Sequence, residues 1–162
     1  MSSNRDVVIV LSIQSDATNP VAEFVTNPAN NINRINSSVT FDLRGYDETG
    51  ISYLRLYGNW TGSWTANQTN TSPINATYWN ITIDAIPEGK WVWAAWANDS
   101  HNNAAFSTAN RTITVDLTAP TFTALENQTV ALNTAFIYDI NATDTASSVS
   151  VDIINDTTNF TI

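Results

Sequence analysis

Cysteine is absent from the 162-residue chain, histidine occurs once, and six basic residues face fifteen acidic ones. Without cysteine there is no disulfide framework and no thiolate metal site. The single His101 leaves no His pair for zinc and no thiol–imidazole catalysis. A net charge of −9 opposes nucleic-acid backbones and anionic membrane surfaces as partners. No stretch approaches the roughly 20 apolar residues of a membrane-spanning helix, so no membrane insertion is expected. Helical periodicity is nearly missing as well.

What remains is a chain with 43% hydrophobic and only 13% charged residues. Its polarity is carried by Asn, Thr and Ser, a composition that points to an extracellular surface. The length suffices to bury a core without staples. Short alternating runs recur between Asn, Gly, Pro and Asp clusters, the pattern of an all-β sandwich. Strands are predicted at Val21–Thr26, Val39–Arg44, Ile51–Tyr57, Tyr78–Ile83, Trp91–Asn98 and Arg111–Asp116. Alternation assigns their faces. Val39, Phe41 and Leu43 point inward, as do Trp79, Ile81 and Ile83, and Ile113 and Val115. Trp91, Trp93, Ala95 and Ala97 are assigned to the core, with Trp96 outside.

A second module is expected after Asp116-Leu117-Thr118-Ala119-Pro120, with strands near Thr121–Ala124, Ala135–Ala142 and Val149–Ile154. The start of the chain mirrors that junction. Asn4–Val10 followed by Thr18-Asn19-Pro20 repeats the order of Asn110–Val115 followed by Thr118-Ala119-Pro120. The expected organisation is therefore a closing or donor strand in residues 1–17, an Ig-like antiparallel β-sandwich in 18–117, and a partial module in 118–162. The alternative for Val7–Ile13 is the core of a signal peptide, with Ser15-Asp16-Ala17 as small-residue cleavage context.

The residues Gly89-Lys90-Trp91-Val92-Trp93 and Ala97-Asn98-Asp99-Ser100, ending in Asn103, resemble a late strand of bacterial and archaeal Ig-like extracellular surface modules. The junction Val115–Pro120 resembles the link between such modules. Asn127–Val130, Phe136–Asp144 and Asn159-Phe160 are similar to dystroglycan-type cadherin-like modules. The resemblance implies a tandem array in an archaeal surface layer, adhesin or filament. Copies of the chain or adjacent modules would be its partners. It implies little about ligands, since such folds serve many ends.

Asn-x-Ser/Thr triplets begin at Asn36, Asn59, Asn67, Asn70, Asn75, Asn80, Asn98, Asn110, Asn127, Asn141, Asn155 and Asn159. Chance at this composition gives roughly five such acceptor motifs, and the excess makes covalent N-glycans an expectation. On the predicted strands, Asn36, Asn80, Asn110 and Asn141 fall on the polar parity, where a glycan has room.

No catalytic or cofactor-binding residues are assigned. Ser100, His101 and Asp99 are sequence neighbours, which rarely form a triad, and the adjacent acids Asp47 and Glu48 do not flank a cleft. Asp116, Asp139, Asn141 and Asp144 are candidates for Ca²⁺, a cation suited to oxygen ligands at a module junction. Two assembly readings stand beside each other. Val7, Val8, Ile9, Val10, Leu11 and Ile13 would complete the open half-module of a neighbour by strand addition. Alternatively, exposed Trp60, Trp64 and Trp96 would form a carbohydrate-binding platform.

Overall fold

The computed structural model describes residues 15–123, 126–135, 137, 139–144 and 149. The described chain is all-β: β1 Val21–Phe24, β2 Ile32–Arg34, β3 Val39–Tyr46, β4 Ile51–Gly58, β5 Thr65–Asn70, β6 Tyr78–Ile83, β7 Gly89–Asp99, β8 Ala104–Phe106, β9 Arg111–Val115, β10 Thr121–Thr123 and β11 Asn141–Thr143. One sheet has the order β1-β3-β6. The other has the order β2-β9-β7-β4-β5, with β8 hairpinned against β7. The first strand is divided between the sheets: β1 pairs antiparallel with β3, and β2 pairs parallel with β9. The chain then crosses between layers, with β3 and β6 in the smaller sheet and β4, β5 and β7 to β9 in the larger, which is an immunoglobulin-like sandwich arrangement.

The inward residues of the two sheets meet as alternation requires. Val39, Phe41 and Leu43 on β3 bury completely against Leu54 and Leu56 on β4, Trp93, Ala95 and Ala97 on β7, and Ile113 and Val115 on β9. Trp79, Ile81 and Ile83 face the core but stay partly open, because β6 is a sheet edge among the described residues.

Where a cysteine-containing sandwich can bridge its sheets covalently, this chain uses rings. Trp93 meets Phe41 edge-on at 4.9 Å and Phe24 at 4.6 Å, and Trp60 stacks on Phe41 at 5.4 Å. Such pairs add about 0.5–1.5 kcal/mol each beyond the area they bury. Trp60 fits only because residue 58 is glycine. A Cβ there would lie 2.0 Å from the indole ring.

Three strands lie outside the sequence expectations. β5 carries no apolar alternation because it is an exposed edge, while β2 and β8 are three residues long. In the tail, β10 pairs antiparallel with β11. Of the strand expected over Ala135–Ala142, the described residues show β11 at Asn141–Thr143, and Phe136 and Tyr138 lie outside them. The strand expected over Val149–Ile154 falls almost entirely outside the described residues, as do Val7–Ile13.

Candidate functional site

Three surfaces carry polar or aromatic side chains in unusual concentration. The first is one pole of the sandwich, where the β3–β4 turn and the β7–β8 turn meet the linker before β1. Asp16, Asp47 and Asp99 bring carboxylate oxygens within 4.8 Å of one another. Asp16 borders an open recess of about 510 Å³ that Glu48, Thr49 and His101 also line.

The carboxylates serve as acceptors for the loops around them. Asp99 Oδ1 receives the backbone N–H groups of His101 and Asn103, both at 2.8 Å, and Oδ2 receives Asn103 Nδ2 at 2.7 Å. Burial opposes the charged form of Asp99, but these Asn103 and His101 donors outweigh it, so its carboxyl titrates below the usual range. Asp16 also titrates low, first because the Thr18 N–H donates to it and next because the Thr49 hydroxyl does. Asn103 Nδ2 donates to the Asp16 backbone carbonyl at 3.3 Å, which ties the linker to the pole. Hard oxygen ligands of this kind suit Ca²⁺ or Mg²⁺. The hydrogen bonds alone account for their convergence.

No triad forms here. The Asp99 carboxylate turns to backbone donors, and Ser100 Oγ donates to the Thr49 carbonyl at 3.0 Å. The same imidazole nitrogen, Nδ1, faces both Ser100 Oγ at 3.3 Å and Asp16 Oδ2 at 3.8 Å. A relay needs the two ring nitrogens to serve opposite partners.

The second surface is the opposite pole, at the far end of β7. There the Asp116 N–H donates to the Arg34 carbonyl and the Thr118 hydroxyl to Glu88. Asp116 and Asp144 border one recess of about 360 Å³, whereas Asp139 accepts from Asn141. Among the described residues the converging acid trio is therefore the Asp16 group, not the one drawn from Asp116, Asp139 and Asp144.

The two linkers share a spacing, Asp16-Ala17-Thr18-Asn19-Pro20 and Asp116-Leu117-Thr118-Ala119-Pro120, one hundred positions apart. They also share a local bond, from the Thr N–H to the Asp Oδ1 two residues earlier, at 2.8 and 3.3 Å. The Thr-x-Pro part of this repeat was read from the sequence, and Asp16 was not. Nor was its meeting with Asp47 and Asp99, because that depends on two turns far apart in the chain.

The third surface is the outer face of the larger sheet. Tyr53, Arg55 and Tyr57 of β4 lie beside Trp96 of β7 and Phe106 of β8, with Trp64 at the margin. Trp60 does not belong to it, being 6% exposed and packed on Phe41.

The acceptor asparagines fall into distinct settings. Asn36, Asn80, Asn110 and Asn127 are exposed, and no side-chain hydrogen bond ties their amides among the described residues. Asn59 and Asn70 accept backbone N–H bonds through Oδ1, and Asn141 donates to Asp139. The Nδ2 groups of three others are engaged. Asn67 donates to the Gly58 and Thr65 carbonyls, and Asn75 to the Asp47 carbonyl. Asn98, 5% exposed, donates to Asn103 O and Asn102 Oδ1. Asn98 shares the parity of Trp96 on β7, but the Asp99–Asn103 turn folds over it. Asn155 and Asn159 lie outside the described residues.

No family model and no curated protein matches the chain. Among solved structures, an engineered protein is similar at 13% identity and a TM-score of 0.43, over 59% of this chain and 20% of that one. The PKD domain of an M14-like peptidase from a Thermoplasmatales archaeon is similar at 15% identity and a TM-score of 0.41, over 60% of this chain and 92% of that one. The chain thus spans about a fifth of the engineered protein's length. The immunoglobulin-like assignment rests on the strand order and pairing described above.

Proposed function

We propose that the chain is a non-catalytic structural module of an N-glycosylated, extracellular archaeal surface protein, whether surface layer, adhesin or filament. It would be joined in series to similar modules. One observation carries this reading: the repeated Asp-x-Thr-x-Pro linkers sit at opposite poles. Asp16 is tied to Thr49 and Asn103, and Asp116 and Thr118 to Arg34 and Glu88. A chain that enters at one end and leaves at the other builds a row, with the glycan acceptors on the flanks. The eleven residues of β7 run between those ends, so each module would advance the row by about 36 Å at about 3.3 Å per residue.

The assembly version adds strand donation from Val7–Ile13 into the unit that begins at residue 118. Ca²⁺ at Asp116, Asp139, Asn141 and Asp144 belongs to the same proposal, as does localisation at the cell surface. Immunogold labelling of intact source cells, together with intact mass of the native protein, tests the core reading. Surface label and a mass above that of the polypeptide are expected. Label confined to the cell interior would overturn it. For strand donation, deletion of residues 1–20 should abolish fibre or oligomer formation, and fibres that persist would refute that version.

A further inference from the structure

The outer face of the larger sheet goes beyond a spacer's needs. Tyr57 contacts Phe106 edge-on at 4.9 Å and Trp64 at 5.9 Å, and Trp64 lies 6.4 Å from Phe106. Trp96 is the register partner of both Phe106 and Arg55, so the rings continue across three strands. The Arg55 guanidinium rests 4.6 Å from the Trp96 ring and 5.6 Å from Tyr53. Tyr53, Trp64 and Phe106 keep 40%, 41% and 45% of their surface in solvent.

Charge and area limit the occupant. β4, β5 and β8 contain no Asp or Glu, and the only one in β7, Asp99, is buried at the pole. Arg55 is thus the one charge set among these rings, Lys90 lying on the same face at the far end of β7. It has no carboxylate partner among the described residues, unlike Arg44, which pairs with Glu23. Three aromatic side chains at about two-fifths exposure offer together roughly 250 Å². A stable protein–protein interface needs about 800 Å² per partner. The exposed aromatic area alone falls short of that and matches a few sugar rings.

We propose that Tyr53, Arg55, Tyr57, Trp64, Trp96 and Phe106 form a binding face for a short acidic saccharide. The C–H faces of its pyranose rings would lie on the exposed aromatics. A carboxylate of a hexuronate unit would meet Arg55, the charge-assisted pairing that guanidinium favours. Nothing in the structural-module reading requires this, and either proposal can fail alone.

The test is isothermal titration of the full chain with a galacturonate hexamer, with cellohexaose as the neutral comparison. Phe106→Ser, Trp64→Ser and Arg55→Gln are titrated in parallel, each checked for an unchanged near-UV spectrum. Saturable binding of the uronate is expected, weakened at least tenfold in Phe106→Ser or Trp64→Ser and in Arg55→Gln, and falling with added salt. Absence of heat at millimolar uronate would overturn the proposal. So would equal binding of cellohexaose with no effect of Arg55→Gln, or binding unaltered by both aromatic substitutions. Self-association by sedimentation that Phe106→Ser abolishes, without sugar binding, would assign the face to a second copy instead.

Discussion

At the scale of single residues, the core depends on a few positions where one atom decides the packing. Gly58 is the sharpest case, since Trp60 occupies the volume a Cβ would take. Gly58→Ala should therefore lower the stability measured by urea unfolding by about 1–3 kcal/mol, the usual cost of overpacking. Phe41→Ala removes the ring that contacts both Trp93 and Trp60, and should cost about 3–5 kcal/mol in the same assay. Asp99 and Asp16 govern the response to acid. Their carboxyls titrate below the ordinary value in the folded state. The stability they contribute is complete above about pH 4 and is lost as pH falls through their folded values. Thermal scans should show Tm flat from neutral pH to about pH 5 and declining below about pH 4. Asp99→Asn should lower Tm at pH 7, because its amide would face the donor Nδ2 of Asn103, and should make the acid decline shallower.

At the scale of elements, the strands with one buried face were legible and the rest were not. β3, β6 and β9 announce themselves by strict alternation, and the observed bounds of β6 match the expected ones. β7 is apolar on both faces because Ala94 and Trp96 belong to the outer aromatic surface, yet its inward set of Trp93, Ala95 and Ala97 was readable. β5 and β2 lack any hydrophobic period. They exist because β4 and β9 present unpaired backbone groups to them. The candidate sites divide the same way. Sequons are written in three consecutive letters, but whether Nδ2 is free depends on turns such as Asp99–Asn103. Peptide mapping of the native protein should find glycans at Asn36, Asn80, Asn110 or Asn127 and none at Asn98 or Asn75. Occupancy of Asn98 would mean that modification precedes closure of that turn. A glycan at Asn80 would also shield β6, an edge strand otherwise open to foreign strands.

At the scale of the whole molecule, the placement of the linkers matters more than any single contact. Tethers at opposite ends would let the sandwich carry tension if modules are joined in series. Pulling on Pro20 and Asp116 draws β1 and β2 toward one end and β9 toward the other. The β2–β9 ladder runs parallel, with Ile32 opposite Ile113 and Arg34 opposite Val115. Its hydrogen bonds lie across the direction of force, so they are loaded together rather than peeled one at a time. Single-molecule stretching through the two linkers should give one rupture per module, at a force that drops when Ile32–Arg34 is replaced by glycines. Three residues without any hydrophobic pattern would then act as a mechanical latch.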